Sequence, residues 1–392
     1  MGQEGKGAPG TLNTRNTPSI KHQSPTHIVV TGGPCAGKST ALPLLKAHAE
    51  SLGYNVILVP EAATALAAMG ITPLAAHETN TTAEFQLSVA KIQLAAHEAA
   101  TQAAHRSRLP SIVIHDRGLL DLTAYTSEQE SILAHLGLSR EQASALYNGV
   151  LHFTSAAIDA PTHYETTSNK ARRESAAEAA ALDEALRLSW STVSPYWVIS
   201  APHPISFETK LSRALIALES ILNAGTHHSQ EHERKYLITE LSTKALSRLP
   251  PPKALEQWYI HSKNSTTERR VRASTSPTGL VSYQETIKSA DTALTRQEQE
   301  CTISQEEFFA ILASTHSTEL TLLRKLRYIL TTPHHRFEID HIIYPQNIWL
   351  AEVELLDPTD KVTLPTLLAS ALEVTGNKDY SNAALAASTP HQ

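Results

Sequence analysis

Apolar and polar positions divide the chain into two textures. From His27 to about Gly225, short apolar runs alternate with long Ala-rich stretches. The runs His27–Thr31, Asn55–Val59, Ser111–His115, Leu151–Ser155 and Tyr196–Ser200 predict strands. Between them Ser39–Ser51, Thr82–His105, Glu174–Val193 and Ser206–Asn223 predict helices. Such alternation predicts a parallel sheet covered by helices on both faces. Downstream the period shortens to two, with β-branched and aromatic residues, and one helix near Ser304–Ala313 interrupts a strand-rich region. The change falls at Gly225-Thr226-His227-His228-Ser229-Gln230. The expected organisation is a disordered tail over 1–25, an α/β domain over 26–224, a linker over 225–230 and an antiparallel domain over 231–388.

Composition narrows this picture. At 392 residues two or three domains are expected, and 41% hydrophobic residues supply packed cores. A formal net charge of −6 argues against non-specific nucleic-acid binding. The two cysteines, Cys35 and Cys301, match no zinc or redox spacing, which fits a reducing compartment. The polar first 25 residues do not read as a signal peptide, and no run approaches the ~20 apolar residues of a membrane span. A cytoplasmic protein is expected. Among twenty histidines, the pairs His227–His228 and His334–His335 lack metal-ligand spacing with nearby carboxylates, so the histidines are expected at the surface.

The strongest local signal is His27-Ile28-Val29-Val30-Thr31-Gly32-Gly33-Pro34-Cys35-Ala36-Gly37-Lys38-Ser39-Thr40. It is an apolar strand, a glycine-rich loop and a helix start, satisfying G-x-x-x-x-G-K-[ST]. Glycines let backbone N–H groups turn toward phosphate oxygens, and the helix N-terminus adds a favourable dipole. Lys38 would reach the β- and γ-phosphates and Ser39 would ligate Mg²⁺. A merely structural glycine turn is the bland alternative, and the strand–loop–helix context weighs against it.

Two more predicted strands end in charge, where parallel sheets place ligand-facing groups. Glu61 is a candidate acid/base or ligand of a substrate hydroxyl. Asp116 could hold Mg²⁺ through water, and Arg117 could sit on a transferring phosphate. For each, an ion pair or helix cap is the alternative. Arg172 and Arg173, before a predicted long helix, read either as a lid over phosphates or as a solvated helix start. With Val59-Pro60-Glu61-Ala62-Ala63 and Asp116-Arg117-Gly118, the loop resembles the P-loop ATPase/kinase group that includes the nicotinamide-riboside-kinase-like (NadR-like) domains, over roughly residues 26–224. The resemblance implies a nucleoside-kinase-like fold with Glu61, Asp116 and Arg117 near the acceptor. No N-K-x-D or T-K-x-D guanine-reading element stands in the expected place, so ATP and GTP both remain open.

In the second half, Glu231, Glu233 and Lys235 alternate along one strand face. Alone, such a face is more often solvated than functional. The pattern repeats in Glu268, Arg270 and Arg272, in Thr286 and Lys288, and in Arg296, Glu298 and Glu300. It returns in Lys325 and Arg327, Glu338 and Asp340, and Glu352 and Glu354, with Ile287, Leu326, Phe337, Ile339, Ala351, Val353 and Leu355 between. An ordinary sandwich turns its apolar face inward. A barrel allows the reverse, with charges lining a tunnel and the apolar face packed outside. Buried charge needs partners, and a polyanion with divalent cations supplies them. Carboxylates would hold Mg²⁺ or Mn²⁺ and Lys or Arg would grip phosphate.

This ordered series, opening with E-x-E-x-K, resembles the CYTH superfamily of triphosphate tunnel metalloenzymes from Glu231 to Asn382. The resemblance implies an eight-stranded antiparallel tunnel that binds triphosphates with metal. It carries metal ligation to Glu231, Glu233, Glu352 and Glu354, aided by Glu298 or Glu300, with Asp340 in the same acidic series. It carries phosphate binding to Arg270, Arg272, Lys288, Lys325 and Arg327, with Arg296 alongside, and gives Lys235 a part in positioning or activating water. The two-domain plan is similar to the TRPL translocation defect family of fusion proteins, associated with GTP and phosphoinositide binding. The leading expectation is therefore an ATP- or GTP-binding, kinase-like domain joined to a metal-dependent triphosphatase. The alternatives are a non-catalytic, nucleotide-regulated binder of phosphoinositides or other polyanions, and an adenylate cyclase.

Overall fold

The computed structural model describes residues 24–72, 81–161, 164, 175–202, 204–223, 232–261, 268–292 and 295–388. Most of the expected tail, the linker, Glu231, Arg172, Arg173 and the pair His227–His228 lie outside the described residues. Lys288, Arg296 and Glu298 are placed by their backbone alone.

The α/β domain is built on β1 (Thr26–Thr31), β2 (Asn55–Val59), β3 (Ser111–Asp116), β4 (Gly149–Phe153) and β5 (Tyr196–Ile199). All pairings are parallel and the order is β2-β3-β1-β4-β5. Its helices are α1 (Lys38–Ser51), α2 (Ala62–Ala68), α3 (Thr81–Ala104), α4 (Gln129–His135), α5 (Arg140–Ala145), α6 (Ala156–Asp159), α7 (Ala176–Trp190) and α8 (Phe207–Asn223). Alternation along β1 sends Ile28 and Val30 to a core with Leu45 of α1 and Leu218 of α8. It sends Val29 to the opposite core, with Ala90 of α3 and Trp190 of α7. A strand buried on both faces must be a continuous apolar run, as β1 is.

The strand order reverses direction at β1, and the glycine-rich loop leaves its C-terminal end there. Gly32 has φ +132°, and a Cβ there would lie 2.0 Å from the Phe153 carbonyl oxygen. Gly32→Ala is therefore expected to destabilise the α/β domain by about 3 kcal/mol, read as a lowered thermal midpoint. The fourth strand ends two residues earlier than the apolar pattern predicts. Ser155 leaves it to cap α6, its Oγ accepting from Ala157 N and donating to Pro34 O.

The second domain comprises β6 (His232–Ile238), α9 (Thr243–Leu246), β7 (Lys253–Ile260), β8 (Glu268–Thr275), β9 (Val281–Thr292), β10 (Thr295–Ile303), α10 (Gln305–Ser314), β11 (Leu320–Thr331), β12 (Arg336–Tyr344), β13 (Ile348–Leu355), β14 (Leu372–Glu373) and α11 (Asn382–Ala387). Its antiparallel sheet has the order β10-β9-β8-β7-β11-β12-β13-β6-β14. Eight strands were expected; the ninth is the two-residue β14, added to the free edge of β6. Tyr236, Phe337, Ile339, Ala351 and Val353 form the outer apolar face, covered by Leu364, Leu367 and Leu368. Charged residues between them face inward, as the alternation required.

The domains touch through Thr154 Oγ1 donating to Pro333 O at 2.8 Å, Arg336 Nε to Ser191 O at 3.2 Å and Lys253 Nζ to Thr192 O at 3.1 Å. An Arg213–Asp360 ion pair joins them too. Among the described residues no helix is long and apolar enough to cross a membrane.

Candidate functional site

The first site forms where β1, β2 and β3 end. Lys38 opens α1 and curls back, its Nζ donating to Gly32 O at 2.7 Å and Gly33 O at 2.9 Å. These carbonyl oxygens occupy the donors that phosphate oxygens would take. Gly33 N donates to Asp183 Oδ1 at 2.9 Å, and so does Ser155 N. The loop is thus fixed from α7 and from the start of α6. Ser39 and Thr40 are exposed at the first turn of α1, and Cys35 has a positive φ of 55° within the loop.

The charges expected at the strand ends converge here. Arg117 Nε donates to Glu61 Oε1 at 2.6 Å, and Arg117 Nη1 lies 3.6 Å from Asp121 Oδ2. Arg117 itself has φ 73°, a strained conformation held by its N–H donating to Val30 O at 3.0 Å. Burial, and then neighbouring Glu61, raise the Asp116 pKa, and Asp116 Oδ1 has no hydrogen-bond partner among the described residues. An orphaned buried carboxylate oxygen fits a cation or an acceptor hydroxyl arriving with substrate. Burial would raise the Glu61 pKa, but Arg117 more than offsets it and Glu61 stays ionised.

Burial, with Arg117 beside it, lowers the Lys38 pKa to about 7. A bound polyphosphate favours the protonated amine, so above pH 7 binding must draw a proton from solution. Nucleotide affinity is therefore expected to fall roughly tenfold per pH unit from 7 toward 9. Calorimetry at pH 8 in buffers of different ionisation enthalpy should show uptake of nearly one proton, absent in Lys38→Ala.

The second site lies inside the antiparallel sheet. Lys235 Nζ sits 3.3 Å from Glu233 Oε1 and 2.9 Å from Glu352 Oε1. Arg327 reaches Glu352 at 3.4 Å and Asp340 at 2.6 Å, and also pairs with Glu338. Lys325 Nζ donates to Asp340 Oδ2 at 2.6 Å, and Arg336 Nη1 to Glu338 Oε1 at 2.8 Å. Burial would raise the carboxylate pKa values, yet Arg327 and Arg336 pull Glu338 down to about 2, and Arg327 with Lys325 holds Asp340 well below its usual range. Burial opposes charge on Lys235 too, but Glu352 and Glu233 raise its pKa, so its ammonium persists. A permanently charged Lys235 suits holding an anion and does not suit removing a proton from water.

These groups form a lattice in which every cation meets a carboxylate, and this pairing offsets the cost of burying charge in the interior. Glu354 stands opposite Glu233 in the β6–β13 register, and both remain solvent-accessible. Arg272 pairs with Gln284 at 3.1 Å and Glu300 at 3.5 Å and also interacts electrostatically with Arg327 and Glu338 of the lattice. Arg270 lies two residues away on the same strand. Glu300 is thus brought to Arg272. Further along the interior the lining turns apolar. Tyr259, Leu323, Ile342 and Leu350 pack against Leu385 and Ala386 of α11, which closes that end.

The histidines depart from the surface expectation. His27 of β1, His97 of α3 and His115 of β3 are all buried, as is His152. The first three offer nitrogen atoms within 4.8 Å of one another, a cluster able to coordinate a metal ion. Burial lowers the pKa of His27 to about 3 and of His115 to about 2, leaving the neutral imidazoles that ligation requires. The rings also stack, His27 on His97 at 4.1 Å, and so fill the space between α3 and the sheet. This cluster belongs to the α/β core, not to the tunnel. Composition could not reveal it, because its members are spread over 88 residues of chain.

Three functional neighbours escaped the sequence reading. Asp121 accepts from Thr31 Oγ1 at 2.7 Å and Trp190 Nε1 at 2.6 Å. Asp183 binds the loop, and Ser155 holds Pro34. Asp183 carried a faint signal, an acidic residue on the buried face of α7 between Ala179 and Leu186.

A family model described as an AAA domain matches residues 27–205. Among curated proteins none matches this chain. Of solved structures, the inorganic triphosphatase NE1496 is 28% identical, covering 42% of this chain and 99% of its own, with TM-score 0.31. A Hippeastrum protein, HpAC1, described as a candidate adenylyl cyclase with dominant triphosphatase activity, is 15% identical over 33% of this chain and 81% of its own, with TM-score 0.25. Shikimate kinase from Aquifex aeolicus is 17% identical over 50% of this chain and 97% of its own, with TM-score 0.29. The chain thus joins a nucleotide-binding P-loop domain, over which the AAA-domain model matches, to an antiparallel region whose interior is lined with paired charges.

Proposed function

We propose that this protein hydrolyses the phosphoanhydride bond of a triphosphate inside the antiparallel tunnel, and that its P-loop domain binds ATP or GTP and phosphorylates a small hydroxyl acceptor. The observation that carries the tunnel reading is the Glu233–Lys235–Glu352–Arg327–Asp340–Lys325 lattice. A triphosphate takes over Lys235, Arg327 and Lys325, and the carboxylates those cations leave would hold Mg²⁺ or Mn²⁺. Glu352 offers both its oxygens in this exchange, while Glu233 and Glu354 are open to solvent. Such a metal, when bound, would supply charge that polarises the phosphate and stabilises charge developing on it. Water attacks the terminal phosphorus, the bridging P–O bond breaks, and the proton of the attacking water passes to solvent at the open side of the site.

At the other site Lys38 and Arg117 hold the transferring phosphate, and Glu61 and Asp116 orient the acceptor hydroxyl. Ser39 is the candidate Mg²⁺ ligand from the loop. The boundary between the two domains falls near residues 225–230.

A phosphate-release assay over tripolyphosphate, thiamine triphosphate, ATP and GTP with Mg²⁺ and Mn²⁺ tests the tunnel reading. Release that requires metal and survives Lys38→Ala supports it; no release from any substrate sinks it. The complete internal pairing of the lattice also favours a second reading, a non-catalytic receptor whose paired cations open only for a phosphoinositide or other polyanion. Saturable binding without turnover selects that reading, and cyclic AMP as product selects a cyclase.

A further inference from the structure

Beside the tunnel carboxylates lies a cavity of about 440 Å³. Its lining includes Glu233, Glu352 and Glu354 and, from the α/β domain, Trp197, Pro202 and Ile205. The volume lies in the range of small-molecule sites, and an apolar wall facing a few converging charges is their usual make-up. Inorganic tripolyphosphate has no use for such a wall. Ile205 is 37% exposed, and the partly buried Trp197 lines the same cavity. An aromatic ring and an exposed aliphatic side chain on one wall are suited to a flat organic group.

The opposite end of the tunnel interior is closed by Leu385 and Ala386 of α11. The charged half of the interior therefore looks toward the α/β domain, where Arg336 and Lys253 also meet Ser191 and Thr192. A triphosphate seated on Lys235 and Arg327 would place any group it carries between the two domains.

We infer that the α/β domain forms the specificity wall of the tunnel, selecting a nucleoside triphosphate over inorganic tripolyphosphate by contacts of Trp197, Pro202 and Ile205 with the nucleoside. This inference rests on the tunnel reading for its phosphate seat, but needs binding alone and no hydrolysis. The fusion of the two domains then has a direct physical role: one supplies the phosphate seat and the other the surface that reads what the phosphates carry.

The experiment uses the full chain with Lys38→Ala, so that the P-loop does not contribute. Calorimetry with Mn²⁺ measures ATP, GTP and tripolyphosphate affinities, and phosphate release is recorded on the same samples. At least one nucleoside triphosphate is expected to bind about tenfold or more tightly than tripolyphosphate. Ile205→Asp, at an exposed position, should weaken that nucleotide about tenfold and leave tripolyphosphate within twofold. Trp197→Leu, which keeps an apolar side chain but removes the aromatic ring, should weaken the nucleotide severalfold. Equal affinity for both ligand types, or parallel losses in both, overturns the wall. Hydrolysis absent with selective binding intact overturns the catalytic reading only; binding of neither ligand overturns both.

Discussion

Replacing Lys38 with alanine lowers the affinity for ATP or GTP at the P-loop by about 100-fold, while metal-dependent hydrolysis of tripolyphosphate in the tunnel continues unchanged. The size follows from the chemistry lost. Hydrogen bonds from an ammonium to phosphate contribute about 1.5–3 kcal/mol each, and Lys38 would make them to two phosphates. Among the described residues, Lys38 donates to Gly32 O and Gly33 O. The loop remains held by Asp183 and Ser155, so it should keep its shape in the variant. A fluorescent-nucleotide titration measures the affinity, and a circular dichroism spectrum checks the fold. Undiminished affinity would remove Lys38 from the site.

Exchanging Glu233 and Glu354 together for glutamine reduces tunnel hydrolysis by about 10³-fold and leaves nucleotide binding at the P-loop intact. Glutamine keeps the shape of each side chain but offers a divalent cation no negative charge. These two residues face each other across β6 and β13 and are the accessible carboxylates of the group. Excess Mn²⁺ should recover part of the rate, since the defect is weakened ligation. Steady-state phosphate release against metal concentration measures both effects, and an unchanged rate and metal requirement would refute the assignment. Arg327 would be a poorer choice, because it compensates Asp340, Glu338 and Glu352 at once. Its removal strands buried charge and destabilises the domain, which confuses loss of activity with loss of fold.

How legible was this protein? Strand β1 could be read because a strand buried on both faces needs an unbroken apolar run, and Ile28-Val29-Val30 is one. The P-loop followed, since cradling phosphate with backbone N–H groups demands glycine at set intervals. Lys38, Glu61, Asp116 and Arg117 could be placed together because parallel strands bring their C-terminal ends to one edge. The inward charges of β6, β11, β12 and β13 followed from alternation, which is a local property of extended backbone.

Other features depend on contacts between distant residues. The buried cluster of His27, His97 and His115 needs α3 laid against β1 and β3, and nothing near any of the three marks it. Asp183 reaches Gly33 across 150 residues, and Glu300 pairs with Arg272 from a different strand. The closed end of the tunnel needs α11, a short Ala-rich helix whose own sequence is unremarkable. The sequence by itself determined which residues alternate, which loop can hold phosphate and which charges share a strand face, because these follow from the geometry of neighbouring residues. Only the tertiary structure decided which carboxylate meets which cation, because strand order and domain packing bring together groups that the chain keeps far apart.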